Sequence, residues 1–268
     1  MNAIKIYTIS RPSVDFDAIA EFITDEGVIW MRSPGASVAE EIVEVAGRVC
    51  YMSFKETGVR NNTAYIANLI AQGHESVLEH VSWTFLISGV SRAFSHQLVR
   101  HRVGFAFSQL SQQYHEESDA EFVMPSIIGD DPELSEKWRT TMEANRSLYR
   151  HMVHELTPTK LHQLGNVGAR EALRALRSAA RSVLPNATAT KIVITANARA
   201  LRHFLKVRGS IPGDEEMRIV AASLLTILQK DAPEIFRDFF TETLPDGSPI
   251  VRRLAPSIST PTNSVTIP

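Results

Sequence analysis

Hydrophobic and polar positions change period several times along this chain. The alternation in NAIKIYTI is weak, but it has the two-residue period of a strand and predicts β-structure over 4–9. Residues 15–23 have helical spacing, with Gly27 set for the turn that follows. Val43, Ala46 and Val49 share one side of a helix predicted over 39–51. Asn62 is positioned to cap a helix over 63–71, and Gly73 to stop it. Aromatic and β-branched residues predict a strand over 83–87. Ser91 then opens a helix that carries Phe94, Leu98 and the triplet Arg100-His101-Arg102.

Beyond that triplet, 119–128 reads as extended or irregular and GDDPE (129–133) as a surface loop. A long polar helix over 134–155 is ended by Pro158. A further helix over 165–183 stops at Leu184-Pro185, because the residue before proline avoids helical dihedrals. A β-branched strand is expected over 188–195, then helices over 198–207, 215–228 and 233–240. Pro245, Pro249, Pro256, Pro261 and Pro268 predict an irregular tail over 244–268, after a single domain over 1–243. Helices outnumber strands, so the expected class is α+β, a sheet flanked by helices.

Composition narrows the chemistry. The 268 residues hold 28 Lys and Arg against 30 Asp and Glu, a formal net charge of -2, which argues against broad binding to nucleic acid. A 44% apolar share supports a large core. Cys50 is the single cysteine, which excludes an internal disulfide and a cysteine-rich metal site and suits a reducing cytoplasm. Its setting, VAGRVCYM, is that of a small buried helix residue. The start MNAIKIYTISRPSVDF has no secretory signal pattern, and no segment has the roughly 18 apolar residues needed to span a bilayer.

There is no G-x-G-x-x-G, P-loop or G-x-S-x-G. HESVLEH (74–80) is not H-E-x-x-H; its two histidines are six apart and do not share a helix face, so no metal site is expected. The cationic stretches carry more. If 92–102 is helical, Arg92, His96 and Arg100 share a face at intervals of four. Arg100 and Arg102 also suit the negative end of a helix dipole, which accounts for them without any ligand. That account leaves out SQLSQQY (108–114), whose hydroxyl and amide groups can read a heteroaromatic ring while cations hold an anion. In TANARALRHFLKVRG (195–209), Arg199, Arg202 and Lys206 share a face opposite Leu201, Phe204 and Leu205. Alone, this reads as a solvated amphipathic helix. Two or three such elements converging would make an anion pocket for a nucleotide phosphate or a pyrophosphate cofactor.

Four ordered blocks resemble the flavin-dependent thymidylate synthase family: GHESVLEH (73–80), RHR followed by SQLSQQY (100–102 and 108–114), ARSVLP (180–185) and NARALRHFLKVR (197–208). The resemblance runs from about Arg48 to Phe240. It implies a catalytic domain with that family's fold, working as a homotetramer with FAD at subunit interfaces. It implies transfer of the methylene of methylenetetrahydrofolate to C5 of dUMP, with reduced FAD as hydride source and NADPH as reductant. By the same resemblance, His74, Ser76, Glu79, Arg100, His101, Arg102, Asn197, Arg199 and His203 are cofactor-binding. Gln97, Arg100, Gln109, Ser111, Gln113, Arg181 and Arg208 bind the uridylate. Arg208 is also the expected catalytic group, stabilising charge that develops on the pyrimidine oxygens.

Two departures stand out. Eight residues, VGFAFSQL, separate Arg102 from Ser111, where the family usually has seven. Gln113 stands where the family usually has a phosphate-binding Arg, so the charged, bidentate contact is lost unless another cation, such as a group near Arg181 or Arg199, replaces it. Both border the nucleotide pocket and point to the UMP-methylating relatives of nucleoside-antibiotic pathways, with Ser108 or Gln109 meeting a ribose 2′-hydroxyl. The competing readings are an ordinary dUMP-only enzyme, a decayed flavin- or nucleotide-binding protein, and a nucleic-acid module disfavoured by the near-neutral charge.

Overall fold

The computed structural model describes residues 4–54, 61–163 and 168–254, with only the helical backbone described over 157–163. Its elements begin with β1 (Lys5–Ser10), α1 (Phe16–Asp25), α2 (Val38–Tyr51), α3 (Asn62–Ala71) and a 3₁₀ segment, Glu75–His80. Next come β2 (Ser82–Ser91), α4 (Arg92–Leu98), β3 (Phe105–Gln109), α5 (Ser126–Gly129), α6 (Pro132–Gln163) and α7 (Ala169–Ala180). A 3₁₀ turn, Arg181–Val183, leads to β4 (Ala189–Asn197), α8 (Ala198–Arg208), α9 (Glu215–Asp231), β5 (Phe239–Thr243) and β6 (Pro249–Arg253). The strands form an antiparallel four-stranded sheet, ordered β1-β2-β4-β3, and an antiparallel β5–β6 hairpin. This is the expected α+β class. The chain divides into two compact units, Met1–Ile9 with Thr84–Thr195 (unit 1) and Ser10–Trp83 with Ala196–Pro268 (unit 2).

Unit 1 is organised by the two-residue period of its sheet. Phe85 and Ile87 of β2 and Ile192 and Ile194 of β4 are buried, each contributing about 1.5–3 kcal/mol relative to an exposed side chain. On the opposite face the Thr84 and Thr195 hydroxyls hydrogen-bond across the strands at 2.9 Å. Ser91 caps α4 by accepting from the Phe94 backbone N–H at 3.0 Å, and Phe94 and Leu98 join the core.

In unit 2, α2 buries a charged row beside an apolar one, Ala39, Val43 and Gly47. Glu40, Glu44 and Arg48, four residues apart, are all buried, while Val49 is exposed. The row is satisfied by hydrogen bonding. Glu40 completes a capping box with Ser37 and accepts from the Glu234 backbone N–H at 2.6 Å. Glu44 accepts from Arg48 Nε and from Asn62 Nδ2, both at 2.8 Å. The apolar core of unit 2 comes from α8 and α9, through Leu201, Phe204, Leu205, Leu224, Leu225 and Leu228.

Several expectations need correction. Cys50 is exposed, because the buried face of α2 is the Glu40–Arg48 row. The helix opened by Ser91 ends at Leu98, so Arg100 leaves the row of Arg92 and His96. Tight turns follow, with Arg100 N–H donating to Gln97 O and His101 N–H to Leu98 O, before the unexpected strand β3. α6 runs through Pro158 to Gln163, since one missing N–H removes a single rung from a long helix. The expected start of the next helix at Gly165 lies outside the described residues. Residues 233–238 are turns rather than helix: Glu40 takes the Glu234 N–H, and the Gln229 amide takes the Phe236 and Phe239 carbonyls at 3.3 and 2.8 Å. Within the expected irregular tail, Pro249–Arg253 form β6; residues 255–268 lie outside the described residues.

Candidate functional site

The expected site residues divide between the two units. In unit 2, Asn197 caps α8, its Oδ1 accepting from the Ala200 N–H at 2.9 Å. α8 buries Leu201, Arg202, Phe204 and Leu205 and leaves Arg199, His203 and Lys206 exposed. Intervals of four and three put those three on one side of the helix. Arg202 therefore leaves the solvated face expected for it: it is 2% exposed and pairs with Asp238. Arg208 is half-buried at the last position of α8.

The 3₁₀ segment packs against α8. His74, at its N-terminal boundary, and Ser76 and Glu79 within it are exposed. Glu79 accepts a hydrogen bond from Arg199 Nη1 at 2.5 Å, so the first and fourth sequence blocks meet in the fold. Both partners are about half exposed, a setting in which an ion pair contributes only about 0–1 kcal/mol and yields readily to a competing anion.

In unit 1, Gln97, Arg100 and Arg102 are exposed, and His101 is half-buried. The His101 ring lies 5.9 Å from Phe105, which stacks on Phe107 at 5.5 Å with an 8° interplanar angle. Val103 and Gly104 form the turn into β3; Gly104 has φ +73°, which glycine adopts without strain, and Val103 is exposed. Residues 105–109, within the eight-residue spacer, are a regular strand. Gln109 is tied inward, its Nε2 donating to Ser95 Oγ at 2.7 Å and Thr190 Oγ1 at 3.4 Å, while Ser108 is exposed. Ser111 Oγ accepts from the Gln113 N–H at 3.3 Å and shapes the turn after β3.

Beside this turn stands a group that sequence spacing did not bring together. Arg92 donates to the Leu110 carbonyl at 3.1 Å. Burial lowers the Arg92 pKa, Glu117 pulls it up, and the like charge of Arg181 lowers it further. Glu117 is 5% exposed, and burial pushes its carboxyl above the usual range against the opposing pull of His115 and Arg92. On α7, Arg177 donates to the Tyr114 carbonyl at 2.7 Å and faces Glu116 at 3.5 Å, while Arg170 lies over the Tyr114 ring. Arg170, Arg174, Arg177 and Arg181 recur at intervals of four, three and four, a stripe legible in REALRALRSAAR but passed over. The unit thus holds two guanidinium groups that act on each other and a buried carboxylate that pulls on one of them, an environment that a bound anion completes.

A cleft of about 970 Å³ in unit 1 is lined by Lys5, Tyr7, Ser88, Leu110, Lys191 and residues 115–121, and so adjoins this group through Leu110 and Glu117. None of the expected site residues lines it. Among the described residues there is no His/Cys/Asp/Glu group able to hold a metal ion, and no helix long and apolar enough to cross a membrane.

Comparison with known proteins adds a family. Residues 36–234 match the family model described as thymidylate synthase complementing protein. A flavin-dependent thymidylate synthase of Corynebacterium efficiens is 42% identical over 238 residues, 88% of this chain and 93% of that protein. Proteins of the same name from Corynebacterium aurimucosum and Mycobacteroides abscessus are 40% and 42% identical, covering 90% and 88% of this chain and 96% and 93% of their own.

Proposed function

The chain belongs to the family of the thymidylate synthase complementing protein, and we propose that it methylates C5 of a uridylate, dUMP or UMP. Methylenetetrahydrofolate would be the one-carbon donor, FAD the hydride carrier and NADPH the reductant. The observation that carries this reading is half-buried Arg92, which donates to the Leu110 carbonyl next to Ser111 and feels the like charge of Arg181. Two like charges acting on each other in one unit are well satisfied by a dianion such as a nucleotide phosphate. They supply the charge that Gln113 cannot. Ser111, Gln97, Gln109, Gln113 and Arg100 complete the uridylate-binding set of unit 1, and Arg208 is the proposed catalytic group. A guanidinium in that role stabilises negative charge on the pyrimidine oxygens more in the transition state than in the ground state.

The residues of unit 2 fit a flavin dinucleotide. The exposed Arg199–His203–Lys206 side of α8 offers cations for a pyrophosphate, and Asn197, His74, Ser76 and Glu79 offer hydrogen-bonding groups beside it. Arg100, His101 and Arg102 are cofactor-binding by the family resemblance alone. When bound, the flavin supplies the hydride that completes the methyl group. The chain's part is to hold it, to exclude water and to keep Arg208 charged against the base. Assembly as a homotetramer lets each face be supplied by a different copy.

A narrower reading, methylation of UMP in a nucleoside-antibiotic pathway, is favoured by Gln109. Its amide nitrogen is fixed by Ser95 and Thr190, which leaves the carboxamide oxygen to accept from a ribose 2′-hydroxyl. The test is anaerobic turnover of dUMP and UMP side by side with reduced FAD and methylenetetrahydrofolate, reading product by mass. A methylated product from UMP supports the narrower reading. Product from dUMP alone makes the protein an ordinary thymidylate synthase, and product from neither, with flavin bound, makes it a decayed binding protein.

A further inference from the structure

Arg202 is a buried, multiply bonded cation in unit 2, and no part of the proposed chemistry uses it. Its Nη1 and Nη2 donate to the two carboxylate oxygens of Asp238 at 2.7 and 2.8 Å, a forked contact only arginine makes. Nη1 also donates to the Ile235 carbonyl. Glu75 Oε1, on the 3₁₀ segment, lies 3.7 Å from Arg202 Nη2 and 3.9 Å from Arg253 Nη2 on β6. Arg253 Nε shares Asp238 at 2.7 Å, and both guanidinium groups lie over the Phe239 ring, at 5.1 and 5.6 Å from its centroid. Burial pushes the Asp238 carboxyl up, but hydrogen bonds and charge from Arg202 and Arg253 outweigh it and hold it below the usual range.

The cluster therefore ties three elements to one point. α8 supplies Arg202, the 3₁₀ segment supplies Glu75, and the C-terminal hairpin with the turn before it supplies Asp238, Phe239 and Arg253. We infer that Arg202 is a positioning residue for the cofactor-binding face, fixing α8 in rotation and height against the 3₁₀ segment, with the β5–β6 hairpin as the anchor. Arg199 and His203 flank Arg202 at three residues before and one after, so a change in its seating moves both. Glu75 neighbours His74 and Ser76 and lies four residues before Glu79. A hairpin that carries none of the expected site residues thereby becomes part of the flavin-binding apparatus. The inference rests on the reading that these exposed residues take the flavin.

The test uses full-length apo-protein and measures FAD affinity by fluorescence quenching, uridylate affinity by calorimetry, and folding by circular dichroism and melting. Arg202→Lys keeps the charge and loses the fork. Glu75→Gln, at a side chain 27% exposed, removes only the link to the 3₁₀ segment and keeps the test open should Arg202→Lys fail to fold. The expected result for Glu75→Gln is about tenfold weaker FAD binding, an altered visible band shape of bound flavin, unchanged uridylate affinity and a melting temperature close to wild type. Arg202→Lys, where it folds, weakens FAD binding further. FAD affinity at the wild-type level in folded Glu75→Gln overturns the inference while the flavin reading stands. Wild-type protein that takes up no FAD overturns both.

Discussion

Replacing Arg92 by Gln tests the anion site at a half-buried cation. Arg92 is half-buried and donates to the Leu110 carbonyl at 3.1 Å. At an effective dielectric of about 20, a unit charge about 4 Å from each phosphate charge would interact by about 4 kcal/mol, an upper bound before desolvation. Mutational experience with hydrogen bonds to charged groups gives about 1.5–3 kcal/mol, and the second guanidinium, Arg181, remains in the variant. Arg92→Gln should therefore weaken uridylate binding roughly 10- to 150-fold, at about 1.4 kcal/mol per decade. The assay is calorimetric titration with uridylate and, separately, with uridine, which has the base and sugar but no phosphate. Uridine affinity should change less than about threefold. The unmet Leu110 carbonyl costs about 1–2 kcal/mol, or roughly 2–8 °C in melting temperature for a chain of this size, so titrations belong well below the transition. Equal losses for uridine and uridylate would show that Arg92 shapes the pocket instead of holding the phosphate. No loss for either would remove the anion site altogether.

Arg208→Ala should lower methyl transfer at least about 100-fold while flavin stays bound, the scale of removing one group that stabilises an oxyanion; colourless purified variant would instead assign Arg208 to the cofactor. Glu117 has a raised folded-state pKa, so it favours the native state below its unfolded pKa, and stability is lost as pH rises from that value through the folded one. Glu117→Gln should therefore melt higher than wild type at pH 7–8, with the gap closing below about pH 4.5; a gap that widens in acid refutes the assignment. Asp238 has a lowered pKa, so its contribution is present above the unfolded value and lost as pH falls through the folded one; Asp238→Asn should cost about 3–5 kcal/mol at neutral pH and progressively less in acid, read by denaturant unfolding. Gly209→Ala sets a Cβ 2.7 Å from the Leu205 carbonyl oxygen and 2.9 Å from Val251 Cβ, so a loss of about 1–3 kcal/mol is expected; unchanged denaturant unfolding would mean the α8 terminus gives way freely.

The helices and central strands were legible because their signals are local. Ser91 followed by Phe94 and Leu98 announces α4, and the β-branched run Thr188–Thr195 announces β4 to within two residues at either end. The failures share one cause. Residues 233–240 have helical composition, yet Glu40 and Gln229, distant or one element away, claim the backbone groups a helix would use. β3 was hidden because RHR extends the pattern of α4, although Phe105 and Phe107 alternate after Gly104 as a strand should.

The site follows the same division. Residues that meet solvent, such as Arg199 and Lys206, were identifiable from helix spacing, because an exposed face obeys the local period. Charged residues that turn inward were misread. Arg202 shares the spacing of Arg199 and Lys206, and nothing within α8 distinguishes it from them; its burial is decided by Asp238, 36 residues away. Glu40, Glu44 and Arg48 on α2 repeat the pattern, with partners at Glu234 and Asn62. A buried charge is stable only when its partner is fixed in place, and leaving one member alone costs several kcal/mol. Its position is therefore information about the tertiary fold and not about the helix that carries it. That is why the sequence points to the surface that would meet a ligand, while the residues that hold that surface in shape become visible only when distant carboxylates are in place.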